Sequence, residues 1–271
     1  MTRSSVVLAV RREDVQAEIA RRSAIGFARA AGYEPDPWQV QYLSSTAPQV
    51  LLNIARQSGK STATATLALR TALYTPESLI LLLSPGERQS GEIFMKVEQQ
   101  YEALNRPVRT TKHTELQMEF ANGSRIIALP GKEWTIRGIS GARLIVIDEA
   151  ARVDDGLYYA IRPMLAVSHG RIVGLSTPWG KRGWWYEAWA AEHPTQGEPA
   201  GLWECYQMDA TQCPRYSPEW LANERRGMPE LWFQSEYMTA FVDAIDQLFA
   251  ADQIAQAFSD DVEAFHFVGI G

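Results

Sequence analysis

An α/β fold with a central, mostly parallel sheet flanked by helices is predicted by three observations. Short continuous apolar runs recur at Val50-Leu51-Leu52, Leu79–Leu83, Leu144–Ile147 and Arg171–Leu175. Runs of that kind belong to strands whose two faces are both covered. Helical stretches separate them, at 62–74, 87–104 and 154–165. The first strand and helix are joined by a loop, Asn53 to Thr62, that contains Gly59-Lys60-Ser61.

Taken in order, residues 1–31 carry Arg11, Arg12, Arg21, Arg22 and Arg29 among Ala, Ile and Val, which reads as a basic amphipathic helix. A solvated face packed on the main body is the preferred account of it. Pro35 and Pro37 interrupt that helix, and Trp38 to Leu43 forms a short element before the first core strand. After the strand at 79–83, Ser84-Pro85-Gly86 stops the chain and a helix runs to about Leu104. Apolar alternation on either side of Asn122-Gly123 predicts a β-hairpin. The stretch Pro130 to Arg143, with Lys132, Trp134 and Arg137, reads as a loop leading into the strand at 144–147. Trp184, Trp185, Tyr186 and Trp189 are expected to serve packing rather than base stacking. Pro218 to Tyr237 reads as two short helices, and Ala244 to Glu263 as an acidic linker.

Two segments carry chemistry. A strand, a Gly-Lys-Ser turn and a helix are the context of a phosphate-binding loop. Backbone N–H groups of Arg56, Gln57, Ser58, Gly59 and Thr62 and the helix dipole would face phosphates. Lys60 would neutralise them and the Ser61 hydroxyl would ligate magnesium. Ile54 stands where the usual pattern has its first glycine, so a helix-capping loop is the competing reading. The second segment, Asp148-Glu149, leaves the strand at 144–147 at its carboxyl end, where doubly wound sheets place ligands. There Asp148 would hold magnesium and Glu149 would orient or deprotonate an attacking water. The competing reading is a helix cap. Ser176-Thr177 ends another strand, where small hydroxyl residues can sense the state of a nucleotide.

Composition sets the outer bounds. The chain has 271 residues, 46% hydrophobic and 21% charged, enough for one large domain or a domain with a small appendage. No apolar run approaches a bilayer span, which leads to the expectation of a soluble, intracellular protein. Two cysteines, Cys205 and Cys213, and four scattered histidines lack metal-ligand spacing. A net charge of −6 argues against a wide static nucleic-acid grip, leaving local patches such as Lys132, Arg137 and Arg143, or Lys181-Arg182.

Taken together these residues resemble the ATPase domain of the large terminase subunit, the motor that packs DNA into the proheads of tailed bacteriophages and related viruses. Arg56-Gln57-Ser58-Gly59-Lys60-Ser61 resembles the family's variant Walker A loop, in which the first glycine is commonly missing. The resemblance implies a P-loop NTPase fold of RecA-like (ASCE) type with a small lid subdomain. It implies ATP and Mg2+ as cofactors, Gln39 as the adenine-recognising residue and Asp148-Glu149 as the Walker B magnesium and catalytic pair. It makes Ser176-Thr177-Pro178 a coupling motif and gives Arg137, with Arg56, to transition-state charge, Arg137 reaching into a neighbouring subunit.

The partners it implies are double-stranded DNA, a portal protein, a small terminase subunit and further copies in a ring, pentameric on the prohead. The isolated form could be a monomer, and no membrane partner is implied. The place is the host cell cytoplasm, transiently at the prohead portal. The domain reading is 1–31 helical segment, 32–200 ATPase core, 201–243 lid subdomain and end of the ATPase domain, and 244–271 linker with the start of a nuclease domain, so nuclease activity is not expected of this chain. Phe267–Gly271 resembles that nuclease's first strand, cut short. A helicase-like DNA-dependent ATPase and a non-hydrolysing nucleotide-binding assembly module are the alternatives.

Overall fold

The computed structural model describes residues 18, 23–130, 136, 138–192 and 201–243. An eight-stranded sheet of order β3-β4-β5-β2-β6-β7-β1-β8 forms the middle layer. Its strands are β1 (Gln49–Ile54), β2 (Leu79–Ser84), β3 (Thr110–Thr114), β4 (Gln117–Phe120), β5 (Arg125–Pro130), β6 (Ala142–Asp148), β7 (Arg171–Ser176) and β8 (Glu204–Met208). The five central pairings from β5 to β8 are parallel, while β3-β4-β5 is an antiparallel meander at one end.

Side-chain alternation explains why the central runs are continuously apolar. Ile80 and Leu82, Leu144 and Val146, and Val173 and Leu175 pack on one face. Their neighbours Leu81 and Leu83, Ile145 and Ile147, and Ile172 pack on the other. Both faces are therefore covered, and each Leu, Ile or Val so buried contributes about 1.5–3 kcal/mol.

The first face carries α1 (Ala24–Ala30), α2 (Pro37–Ser44), α3 (Lys60–Tyr74) and α4 (Glu87–Ala103). Ser23 caps α1, its hydroxyl accepting from the Gly26 N–H at 3.2 Å, and Pro37 opens α2 with a preset φ. The second face carries α5 (Asp155–Ile161) and α6 (Gly183–Glu192). There Tyr158 stacks on Trp184 at 4.2 Å and Trp184 meets Trp185 edge-on at 5.8 Å. Trp184, Trp185 and Trp189 are buried, in agreement with their expected packing role. Two further helices, α7 (Pro218–Gly227) and α8 (Glu230–Glu236), pack over the loop after β1.

Several sequence expectations are met: the strands at 50–52, 79–83, 144–147 and 171–175, the hairpin at Asn122-Gly123 and the helix from Glu87. Others are extended. Helix α3 begins at Lys60 instead of Thr62, because Gly59 at φ 86° supplies the left-handed N-cap. Strands β3 and β8 had no apolar run to announce them, being edge strands with one side open. Because β8 hydrogen-bonds to β1, the sheet continues into the segment 201–243, which the sequence reading gives to the lid and the end of the ATPase domain. Arg11, Arg12, Arg21, Arg22, Lys132, Trp134, Arg137 and everything from 244 onward lie outside the described residues. Among the described residues, no helix is long and apolar enough to cross a membrane.

Two glycines separate packing from propensity. A methyl group at Gly174 would sit 2.9 Å from Trp185 and 3.1 Å from Trp184, so Gly174→Ala should destabilise by about 1–3 kcal/mol. Gly91, inside α4, has only Leu116 nearby at 3.9 Å, so Gly91→Ala should stabilise by about 0.5–1 kcal/mol. Urea denaturation of both variants measures the two effects.

Candidate nucleotide site

Register brings the two chemical segments to one edge. Asn53 of β1 lies opposite Ser176 of β7, and Asp148 of β6 lies opposite Leu175 of β7. The loop after β1, the Ser176-Thr177-Pro178 triplet and the acidic pair therefore all leave the sheet at its carboxyl edge, where the α3 N-terminus also begins.

The loop is held from below and above. Gln39 is 3% exposed and donates from Nε2 to the Gly59 carbonyl at 3.1 Å, while its Oε1 accepts from the Asp36 N–H at 2.8 Å. A Cβ at residue 59 would stand 2.6 Å from that Nε2, so both φ and space require glycine there. Ser58 is buried, its hydroxyl donating to the Arg56 carbonyl at 3.2 Å. That carbonyl also accepts from the Tyr216 hydroxyl at 2.7 Å. Ile54, in the place of the usual glycine, is a fully buried strand residue whose carbonyl accepts from the Lys60 ammonium at 3.5 Å. Arg56 and Gln57 are exposed, with Gln57 at φ 50°. Ser61 and Thr62 open α3, both partly buried.

Lys60 is buried, and burial lowers the proton affinity of its ammonium. Glu149, Asp148 and Glu236 pull it back up, with Arg56 adding to the lowering. Asp148 is also buried. Burial, reinforced by the neighbouring Glu149 charge and opposed by Lys60, pushes its carboxyl up to about 6. Glu149 adopts φ 51° and donates its N–H to Asp148 Oδ1 at 3.0 Å. Its carboxylate rests on Arg152, with Arg152 Nη1 donating to Oε2 at 2.5 Å.

Ser176 and Thr177 are buried, and the Ser176 hydroxyl has no partner among the described residues. The Pro178 carbonyl accepts from the Ser235 hydroxyl at 2.6 Å, tying the triplet to α8. Of the sequence-derived candidates, the structure brings Gln39, Arg56–Thr62, Asp148, Glu149 and Ser176–Pro178 to one edge; Arg137 lies outside the described residues.

Two residues at this edge were not anticipated. Arg152 follows Glu149 by three positions, a spacing visible in the sequence as an i,i+3 ion pair. Glu236 sits in a short helix almost ninety residues away and bears no motif. Only the folding of the chain places it beside Arg56, Arg152 and Thr177.

Relatives share this arrangement of fold. The ATPase domain of the Thermus phage P74-26 large terminase superposes with a TM-score of 0.70 at 23% identity, covering 79% of this chain and 96% of that one. The large terminase of a second thermophilic bacteriophage, solved in complex with ADP, superposes with a TM-score of 0.59 at 11% identity, covering 82% of this chain and 53% of that one. In sequence, the large terminase subunit of Thermus phage G20c is 26% identical over 253 residues, 83% of this chain and 52% of the relative. The chain thus spans about half the length of that relative. The family model described as terminase large subunit, T4likevirus-type, N-terminal, matches residues 51–256, more than half of the chain, and the protein belongs to that family.

Proposed function

We propose that this chain is the ATP-hydrolysing motor unit that drives double-stranded DNA into a viral prohead. The observation that carries the reading is a buried lysine in the first turn of α3, electrostatically coupled to the Asp148-Glu149 pair at the same sheet edge. Few arrangements other than phosphoryl chemistry need a lysine, a helix N-terminus and two carboxylates at one sheet edge.

In this reading Lys60 and the α3 N-terminus bind the triphosphate, with Gln57, Ser58, Gly59 and Thr62 supplying backbone N–H groups. Gln39 faces the base. Among the described residues no three His, Cys, Asp or Glu gather as a metal cage. That suits magnesium, which keeps waters and phosphate oxygens and takes one or two protein ligands, here Asp148 and Ser61. When bound, the ion neutralises charge developing on the transferred phosphoryl group. Glu149 orients the attacking water and accepts its proton. Arg56 in the same subunit, and Arg137 from a neighbour, offset charge in the transition state.

Helices α7 and α8, resting on the loop after β1 and on Pro178, act as the lid, and the triplet Ser176–Pro178 couples phosphate loss to lid movement. Double-stranded DNA, a portal protein, a small terminase subunit and sister copies in a ring are the partners of such a motor, at the prohead in the host cytoplasm. The complete motor would also have a nuclease, which this reading does not assign to the present chain.

Steady-state hydrolysis of ATP with magnesium, measured over a wide protein concentration range with and without double-stranded DNA, tests the reading. Turnover should rise with concentration and with DNA, and Arg137→Ala should hold it near the dilute-protein level. A rate independent of concentration that persists in Arg137→Ala would remove the arginine from the shared site. Glu149→Ala should bind ATP within about threefold of the parent while losing on the order of 100-fold or more in turnover. Unchanged turnover would sink the assignment of Glu149, and binding without turnover in the parent would leave a nucleotide-binding assembly module.

Asp148 yields a prediction of opposite sign for stability. Its carboxyl titrates near 6 in the folded state against an ordinary 3.8, so the folded protein binds the proton more tightly. The cost of ionising it is fully present above about pH 6 and is relieved as pH falls toward 3.8. Asp148→Asn in chelator should therefore stabilise at pH 7.5 by on the order of 1–3 kcal/mol and bring no gain near pH 4. Thermal denaturation at the two pH values measures it, and the same variant should lose magnesium-dependent turnover.

A further inference from the structure

Glu236, the last residue of α8, is 5% exposed and touches the residues that follow three different strands. Its carbonyl accepts from the Arg56 N–H at 3.1 Å, in the loop after β1. Its Oε2 accepts from the Thr177 hydroxyl at 3.1 Å, after β7, and pairs with Arg56 Nε at 3.6 Å. Its Oε1 accepts from Arg152 Nη2 at 3.2 Å, after β6. A buried carboxylate has to be compensated, and here two arginines share that task.

Arg152 is itself divided. Nη1 holds the Glu149 carboxylate at 2.5 Å and Nη2 holds Glu236, while its guanidinium lies 4.4 Å over the Trp179 ring. Charges thus alternate along a chain, Arg56, Glu236, Arg152, Glu149, with the lid carboxylate in the second place and the water-activating carboxylate at the end. In this arrangement one oxygen of Glu149, Oε2, is held by the Arg152 guanidinium. Arg56, by contrast, is 63% exposed in its side chain. It borders a cavity of about 330 Å³ lined by Met228, Pro229, Trp232, Glu236 and Tyr237, which leaves it room to turn.

We propose that Glu236 is a positioning residue that sets the availability of Glu149 through Arg152 and so transmits the state of the phosphates to α8. This rests on the hydrolysis reading above. An incoming triphosphate attracts the Arg56 guanidinium. Glu236, losing one cation, draws more strongly on Arg152, and Arg152 relaxes its hold on Glu149. The same shift pulls on Thr177, so α8 and the triplet respond together.

Glu236→Gln keeps the shape and an acceptor for Thr177 but removes the charge. The proposal expects it to bind ATP within about threefold of the parent and to lose at least about tenfold in turnover, because Arg152 then has Glu149 as its one anionic partner among the described residues. In an Arg152→Gln background the same substitution should change turnover less than twofold. A loss of equal size in both backgrounds, or turnover within twofold of the parent in Glu236→Gln alone, overturns the proposal, since a merely structural role does not depend on Arg152.

A second readout needs no hydrolysis. Addition of magnesium and ATP-γ-S should slow amide exchange across 228–240 in the parent and leave it unchanged in Glu236→Gln. Equal protection in both overturns the proposal even where ATP is bound but never cleaved, an outcome that defeats the hydrolysis reading separately. A parent protein that binds no ATP overturns both together.

Discussion

A lysine ammonium buried at the edge of a parallel sheet has to be balanced by carboxylates, and the arrangement of this protein follows from that constraint. Lys60 takes its compensation from Glu149, Asp148 and Glu236, which come from the turn after β6, from the end of β6 and from α8 respectively. The strand order sets β7 between β6 and β1, so the acidic pair and the lysine loop face each other across one intervening strand. The third carboxylate, Glu236, reaches the same edge from α8, between Arg56 and Arg152. Two arginines, Arg56 and Arg152, then balance the surplus negative charge.

The precision of this edge comes from packing beneath it. Gln39 on α2 reaches under the loop to the Gly59 carbonyl, and the absence of a side chain at Gly59 lets it do so. The Asp36 carboxylate beside it is held by Arg215 at 2.6 Å, linking α2 to the chain that leaves β8. Ala55, Ala210 and Leu221 form a small apolar cluster between the loop and α7. The chain just before α7 and the end of α8 both touch the loop directly, through the Tyr216 hydroxyl on the Arg56 carbonyl and the Glu236 carbonyl on the Arg56 N–H.

Much of this was legible in the sequence, for reasons that differ by element. Strands β1, β2, β6 and β7 are buried on both faces, so their apolar runs are unbroken and easily seen. Strand β3, with Lys112 and His113 facing solvent, and β8, with Glu204 and Gln207, carry no such run. They join the sheet because β4 and β1 offer unpaired backbone, which is a tertiary fact. Gly59, Lys60, Asp148 and Glu149 could be picked out because each local segment pairs a strand end with residues of unusual chemistry. Glu236 could not, since an acidic residue in a short amphipathic helix looks like any solvated face until its neighbours are known.

Residues close together along the chain were enough to specify the parallel sheet, the Gly-Lys-Ser loop after its first strand and the acidic strand end. Strand order, the burial of Lys60 and the partners of its carboxylates were decided by the tertiary structure. Those depend on which distant segments meet, as when Glu236 of α8 arrives between Arg56 and Arg152. A charge acquires its role from the charges and the dielectric around it, and these exist only once the chain has folded.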